Sequence, residues 1–167
     1  QAFLFMVLKK YKNHIMAEEI KWDLASPFLM DITVKADETD RLGHTNNQVY
    51  LKWLEQISWQ HIESLGMDWP MHERLSRAMA ITRTEIDYLA ASYEGDELKL
   101  ATWIDKSDQR LTSSRRFQLV RLNDNKTIIK AQSFYACIDL KSGRPARMPK
   151  EFADVHANAI SAHGLKQ

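Results

Sequence analysis

Between Tyr50 and Leu65 the apolar positions fall at Tyr50, Trp53, Leu54, Ile57, His61, Ile62 and Leu65, with small Ser58 between them. That i, i+3, i+4, i+7 spacing predicts a helix with one buried face. Lys52, Gln56, Gln60 and Glu63 take the opposite face. Just upstream, Thr45-Asn46-Asn47-Gln48 fits a capping box, with the Thr hydroxyl as cap and the Gln side chain reaching back. A helix starting there aims free backbone N–H groups and the positive end of its dipole at a polar turn carrying Asp40, Gly43 and His44.

The rest of the chain has a period of two. Phe28–Lys35 alternates through Met30, Ile32 and Val34 and reads as a strand. Residues 66–77 contain Pro70 and no clear period, which predicts a loop or a short second helix. Ala80–Ala90, Leu98–Ile104, Thr112–Leu122 and Thr127–Leu140 read as four strands. Their punctuation is Glu94-Gly95-Asp96, Lys106–Gln109, Asp124-Asn125 and Lys141-Ser142-Gly143. Pro149 then opens a helix over Lys150–Ala159, with proline near the first-turn position. One strand, one long helix and a run of hairpin-linked strands predict an α+β fold: an antiparallel sheet with the helix laid against its face.

Composition narrows the functional classes. A chain of 167 residues suits one domain with a real core, and a formal charge of +1 gives no overall basic field for nucleic acid. The single cysteine, Cys137, cannot form an internal disulfide, which fits a reducing, cytoplasmic setting. No apolar run approaches the roughly 20 residues needed to cross a bilayer, so no membrane partner is expected. The histidines lack metal-ligand spacing. Residues 1–15 stand apart: Ala2–Leu8 precedes its lysines and lacks a small-residue cleavage site, which argues against a secretory signal. Met16-Ala17-Glu18-Glu19 looks like an ordinary start, so residues 1–15 are expected to be an added extension and 16–167 one domain. The alternative is a short extra helix docked on that domain.

The run Asp40-Arg41-Leu42-Gly43-His44-Thr45-Asn46-Asn47, followed by Val49-Tyr50-Leu51 and Trp53-Leu54-Glu55, resembles the hot-dog-fold acyl-CoA thioesterases of the 4-hydroxybenzoyl-CoA thioesterase type. In that family a D-x-x-G-H-x-N-N-x-x-Y motif leads from the first strand into a central helix. The resemblance implies five strands wrapped around one helix. It also implies that Asp40 is the nucleophile or general base, and that the Asn47 backbone N–H polarises the thioester oxygen. His44 would hold the acid, while Gly43, Asn46 and Tyr50 would shape the substrate's surroundings. Glu55 matches a frequent acidic position on the helix and would face the acyl pocket. Leu42 stands where acyl-ACP thioesterases usually carry Asn, which favours the CoA branch. The family further implies a homodimer or homotetramer whose sites mix residues from two chains, with no cofactor, since coenzyme A is part of the substrate.

Arg83, Lys106, Arg110, Arg115, Arg116 and Arg121 are candidates for the phosphates of CoA, with Arg110 and Arg115 favoured because they lie near a hairpin end. Most of the six are expected simply to solvate a strand face. Cys137 reads as core, His61 as a packed, hydrogen-bonded histidine, and Trp53 and Trp59 as core residues that could also meet a partner subunit. Three rival functions remain: a non-catalytic acyl-CoA-binding protein, an enoyl-CoA hydratase or dehydratase on the same fold, and an inert structural domain, which would leave the Asp40–Asn47 motif unexplained.

Overall fold

The computed structural model describes residues 19–166. The expected extension over residues 1–15 lies outside them. Strand β1 (Phe28–Thr33) leads through a single 3-10 turn, Ala36–Glu38, into helix α1 (Asn47–Ser64). Helix α2 (Trp69–Leu75) follows, then β2 (Arg77–Tyr88), β3 (Glu97–Ser107), β4 (Thr112–Arg121), β5 (Lys126–Asp139) and helix α3 (Lys150–Ala162). The strands form one sheet in the order β1-β3-β4-β5-β2, and every neighbouring pair is antiparallel. This is the hot-dog arrangement, with α1 lying along the concave face. Among the described residues no helix is long and apolar enough to cross a membrane.

The helical stripe is buried as its spacing predicts. Tyr50, Trp53, Leu54 and Ile57 pack against Leu98 and Leu100 of β3, Phe117 and Leu119 of β4, and Ile129 and Ala131 of β5. Trp53 is therefore a core residue rather than a contact for a partner. Cys137 is likewise fully buried, in a second cluster with Met67, Met148 and Phe152. A third cluster joins Ile104 to Ala159 and Ile160 of α3, which seats that helix against β3.

Two helix starts differ from expectation and a third segment takes one of its two expected forms, each for a local reason. The cap of α1 is Asn46, whose side chain accepts from the Gln48 N–H at 3.0 Å. Thr45 is withdrawn from that role because its hydroxyl lies 2.6 Å from Ser92 Oγ, in a buried contact across the fold. Pro149 is the cap of α3 itself, one position before the first turn. Residues 66–77 resolve into a helix because Asp68 accepts from the Met71 N–H at 3.0 Å, with Pro70 in the first turn.

The convex face of β3 and β4 is covered as well. The Trp103 indole N–H donates to the Ala25 carbonyl at 2.9 Å, and Gln118 accepts from the Asp23 N–H at 2.9 Å. Both faces of the middle strands are therefore buried, so nearly every residue of Leu100–Asp105 is hidden from solvent.

Candidate active site

The turn before α1 is built by its own backbone. Asp40 N–H donates to the His44 carbonyl at 2.8 Å, and Gly43 N–H returns to the Asp40 carbonyl at 3.0 Å. Gly43 sits at φ +75, a left-handed backbone angle that glycine adopts without strain. One carboxylate oxygen of Asp40, Oδ1, accepts from the N–H groups of Leu42 (2.8 Å) and His44 (3.2 Å). The other has no partner among the described residues, and the Asp40 side chain is exposed. His44 holds the acid through its backbone rather than its ring; the imidazole packs edge-on against Tyr93, with ring centres 5.2 Å apart. The Asn47 N–H, the first of the helix, has no acceptor among the described residues. Asp40 and a free helix-start donor thus share one exposed corner.

A cavity of about 620 Å³ lies beside this corner, between one flank of α1 and the concave sheet. From the helix it is lined by Gln48, Leu51, Glu55, Ser58 and Ile62, a second stripe next to the buried one. Glu55 is the only carboxylate in the lining, and Asp40 is not part of it. The floor follows from sheet register. Ile104, Arg115, Ser133 and Thr84 stand side by side on β3, β4, β5 and β2, and Ser113, Tyr135 and Ile81 form the next row. Ser133 and Thr84 hydroxyls are 2.9 Å apart. The cavity is thus mixed along the helix, apolar at Met67, Met79 and Phe117, and polar across much of its floor.

Two of the expected binding residues need correction. Arg115, expected near a hairpin end as a cation for the CoA phosphates, lies buried within β4; it is only 4% exposed and lines the cavity. The period-two pattern Ser113, Arg115, Phe117, Leu119 puts it on the apolar face, a signal present in the sequence. Tyr50 does not line the cavity either; its hydroxyl meets Ser92 Oγ at 2.9 Å within the core. Arg110 does lie at the β3–β4 hairpin end and is exposed, in a turn where Asp108 Oδ1 accepts from the Arg110, Leu111 and Thr112 N–H groups. Those bonds hold the Asp108 carboxyl well below the usual range. Asn46 is the helix cap, as described above.

Arg115 Nη1 donates to His61 Nδ1 at 2.9 Å and to Thr102 Oγ1 at 3.2 Å. Burial, reinforced by that guanidinium, depresses the His61 pKa to about 3, so the ring is neutral. His156 and His163, facing the same guanidinium, are also pushed down chiefly by burial. Burial pulls Arg115 down too, opposed by Tyr135 and Asp105. Among the described residues no three His, Cys, Asp or Glu side chains gather to hold a metal.

The family model described as "Thioesterase-like superfamily" matches residues 34–155. YneP of Bacillus subtilis, named as a candidate acyl-CoA thioesterase, is 26% identical over 75% of this chain and 90% of its own length. A chloroplastic acyl-acyl carrier protein thioesterase of Arabidopsis thaliana, ATL3, is 24% identical over 72% of this chain and 62% of its own. Among solved structures, a Staphylococcus aureus protein in complex with CoA superposes with a TM-score of 0.77 at 16% identity, over 88% of this chain and 92% of that one. A 1,4-dihydroxy-2-naphthoyl-CoA thioesterase from Synechocystis gives 0.71 at 16% identity, over 80% and 97%.

Proposed function

The chain belongs to the thioesterase-like superfamily and is a thioester hydrolase, and from its geometry we propose that it cleaves acyl-CoA to the free acid and CoA at a site shared by two copies of the chain. The observation that carries this reading is the separation of the acid from the acyl cavity: Asp40 is exposed outside a cavity whose lining it does not join. The cavity is also bordered by Ala78, Met79, Ile81 and Thr84 of β2, an edge strand with one unpaired side. An open edge of 12 residues is a ready pairing surface for a second copy. Such pairing extends the sheet, closes the cavity and sets the Asp40 turn of one subunit against the cavity of the other.

In that arrangement the acyl group lies in the cavity and the thioester carbonyl meets the helix-start corner of the facing subunit. The Asn47 N–H, at the positive end of the α1 dipole, stabilises the developing oxyanion. Asp40, steadied by the amides of Leu42 and His44, keeps its free oxygen for the reaction. It either takes a proton from water that attacks the carbonyl carbon and passes it to the departing sulfur, or attacks the carbon itself to form an acyl anhydride that water then hydrolyses, regenerating Asp40. In both cases the C–S bond breaks, water supplies the oxygen of the free acid and the proton of the thiol, and CoA leaves. Arg110, exposed at the hairpin end, would supply a surface cation for the nucleotide phosphates.

The test is thiol release from short, long and aromatic acyl-CoAs by wild type and Asp40→Asn. Release by wild type that falls at least 100-fold in the variant, with binding retained, is the expected result. Binding without release across the panel would favour a non-hydrolytic acyl-CoA protein instead.

A further inference from the structure

Arg115 is a buried cation with no ion pair of its own among the described residues. It is 4% exposed, lies at the cavity wall, and has no carboxylate within ion-pair distance among the described residues. Its Nη1 bonds go to two neutral groups, His61 and Thr102. The Tyr135 hydroxyl is a further hydrogen-bond partner of the guanidinium. The acid that acts on it electrostatically, Asp105, is already committed: it accepts from Arg116 Nε at 3.0 Å, from Ser114 Oγ at 2.6 Å and from Gln132 at 3.4 Å. The surrounding histidines cannot supply a negative charge in any state, and burial keeps them neutral. Buried guanidinium groups are as a rule paired, because a lone charge is costly to desolvate. Around it the floor offers further hydrogen-bonding groups: Ser113, Ser133, Thr84 and Tyr135.

The geometry points to Arg115 as a specificity residue for acyl groups that carry an acidic oxygen at the end remote from the thioester. The shared chemistry is an anionic or strongly polarised oxygen, from an aliphatic carboxylate or an acidic phenol, that pairs with the guanidinium and the floor hydroxyls. This deepens, and rests on, the reading of the cavity as an acyl chamber. Its position fits that use: Arg115 stands in the sheet floor of the cavity beside Ile104, Ser133 and Thr84, whereas Asp40 lies outside the lining.

The experiment compares wild type and Arg115→Gln on two matched pairs of CoA thioesters. One pair is a five-carbon acyl chain ending in carboxylate or in methyl; the other is a benzoyl group with or without a ring hydroxyl. The expected result is a kcat/KM preference for the acidic member of at least one pair, on the order of 10- to 100-fold, that is lost in Arg115→Gln and largely kept in Arg115→Lys. The pair that shows it identifies the source of the oxygen. Calorimetric binding of the same thioesters to an Asp40→Asn chain reads the preference without turnover. It therefore judges Arg115 even if wild type hydrolyses none of them, the result that would sink the hydrolase reading alone. Equal binding of acidic and neutral members, or a preference unchanged in a folded Arg115→Gln chain, would overturn the assignment. Tyr135→Phe is the second variant: it leaves the charge in place and is expected to weaken the preference only about 10-fold or less.

Discussion

Arg115 Nη1 donates to His61 Nδ1 at 2.9 Å, and this bond fixes the state of the histidine. A guanidinium has no acceptor, so Nδ1 must be the unprotonated nitrogen and Nε2 carries the hydrogen. The ring also stacks on Phe28, with centres 4.8 Å apart. A single buried cation thereby couples the long helix to the middle of the sheet while holding its neighbour neutral.

That coupling predicts acid sensitivity. The folded pKa of His61, about 3, lies below its ordinary value of 6.5, so the unfolded chain binds the proton more readily. The stabilisation is complete above pH 6.5 and is lost progressively as pH falls toward 3. Between pH 6.5 and 5, His61 alone is expected to cost about 2 kcal/mol of stability. Urea midpoints at both pH values, for wild type and His61→Gln, measure it; the variant's pH slope should be shallower.

Replacing the helix cap tests the corrected N-terminus of α1. Asn46→Ala removes the acceptor of the Gln48 N–H and should lower stability by about 1 kcal/mol. Thr45→Val should also destabilise, but through the loss of its buried contact with Ser92 rather than of a cap. Combining Thr45→Val with Ser92→Ala separates the two roles: the double-variant cycle should show coupling, whereas Asn46→Ala with Ser92→Ala should be close to additive.

Tyr50 distinguishes a packing role from a substrate role. Its hydroxyl meets Ser92 inside the core, so Tyr50→Phe is expected to cost about 1 kcal/mol in urea unfolding while leaving KM unchanged. A raised KM with unchanged stability would restore it to the binding site.

The two acids should part company. Asp40→Asn is expected to lower kcat by 100-fold or more, whereas Glu55→Gln, a cavity-wall change, should lower it by less than about 10-fold. Steady-state kinetics on one acyl-CoA, with circular dichroism to confirm folding, decides between them. The reverse order would move the catalytic role to the helix.

Much of this was legible in the residues. The stripe from Tyr50 to His61 and the alternation of the strands fixed helix, strands and antiparallel order, because each element buries one face. The Arg115 burial was also there to be read, in its period with Phe117 and Leu119. What could not be read was long-range: that Ser92 claims Thr45, leaving Asn46 to cap α1, or that Ala25 and Asp23 cover the outer faces of Trp103 and Gln118. Such contacts join segments whose local patterns carry no trace of one another. The turn motif located Asp40 but not its distance from the cavity, since that depends on how α1 lies across the sheet.

The shared site can be tested with mixed dimers. Asp40→Asn removes the acid, and Ser58→Trp fills the cavity from its helical wall. Chains of the two kinds, co-expressed with different tags and purified as mixed pairs, should contain one intact site assembled from the good turn of one chain and the good cavity of the other. Each variant alone should release almost no thiol from acyl-CoA, and the mixed dimer should release it at about half the wild-type rate per dimer. Mixed dimers as inactive as their parents would contradict a site built from two chains.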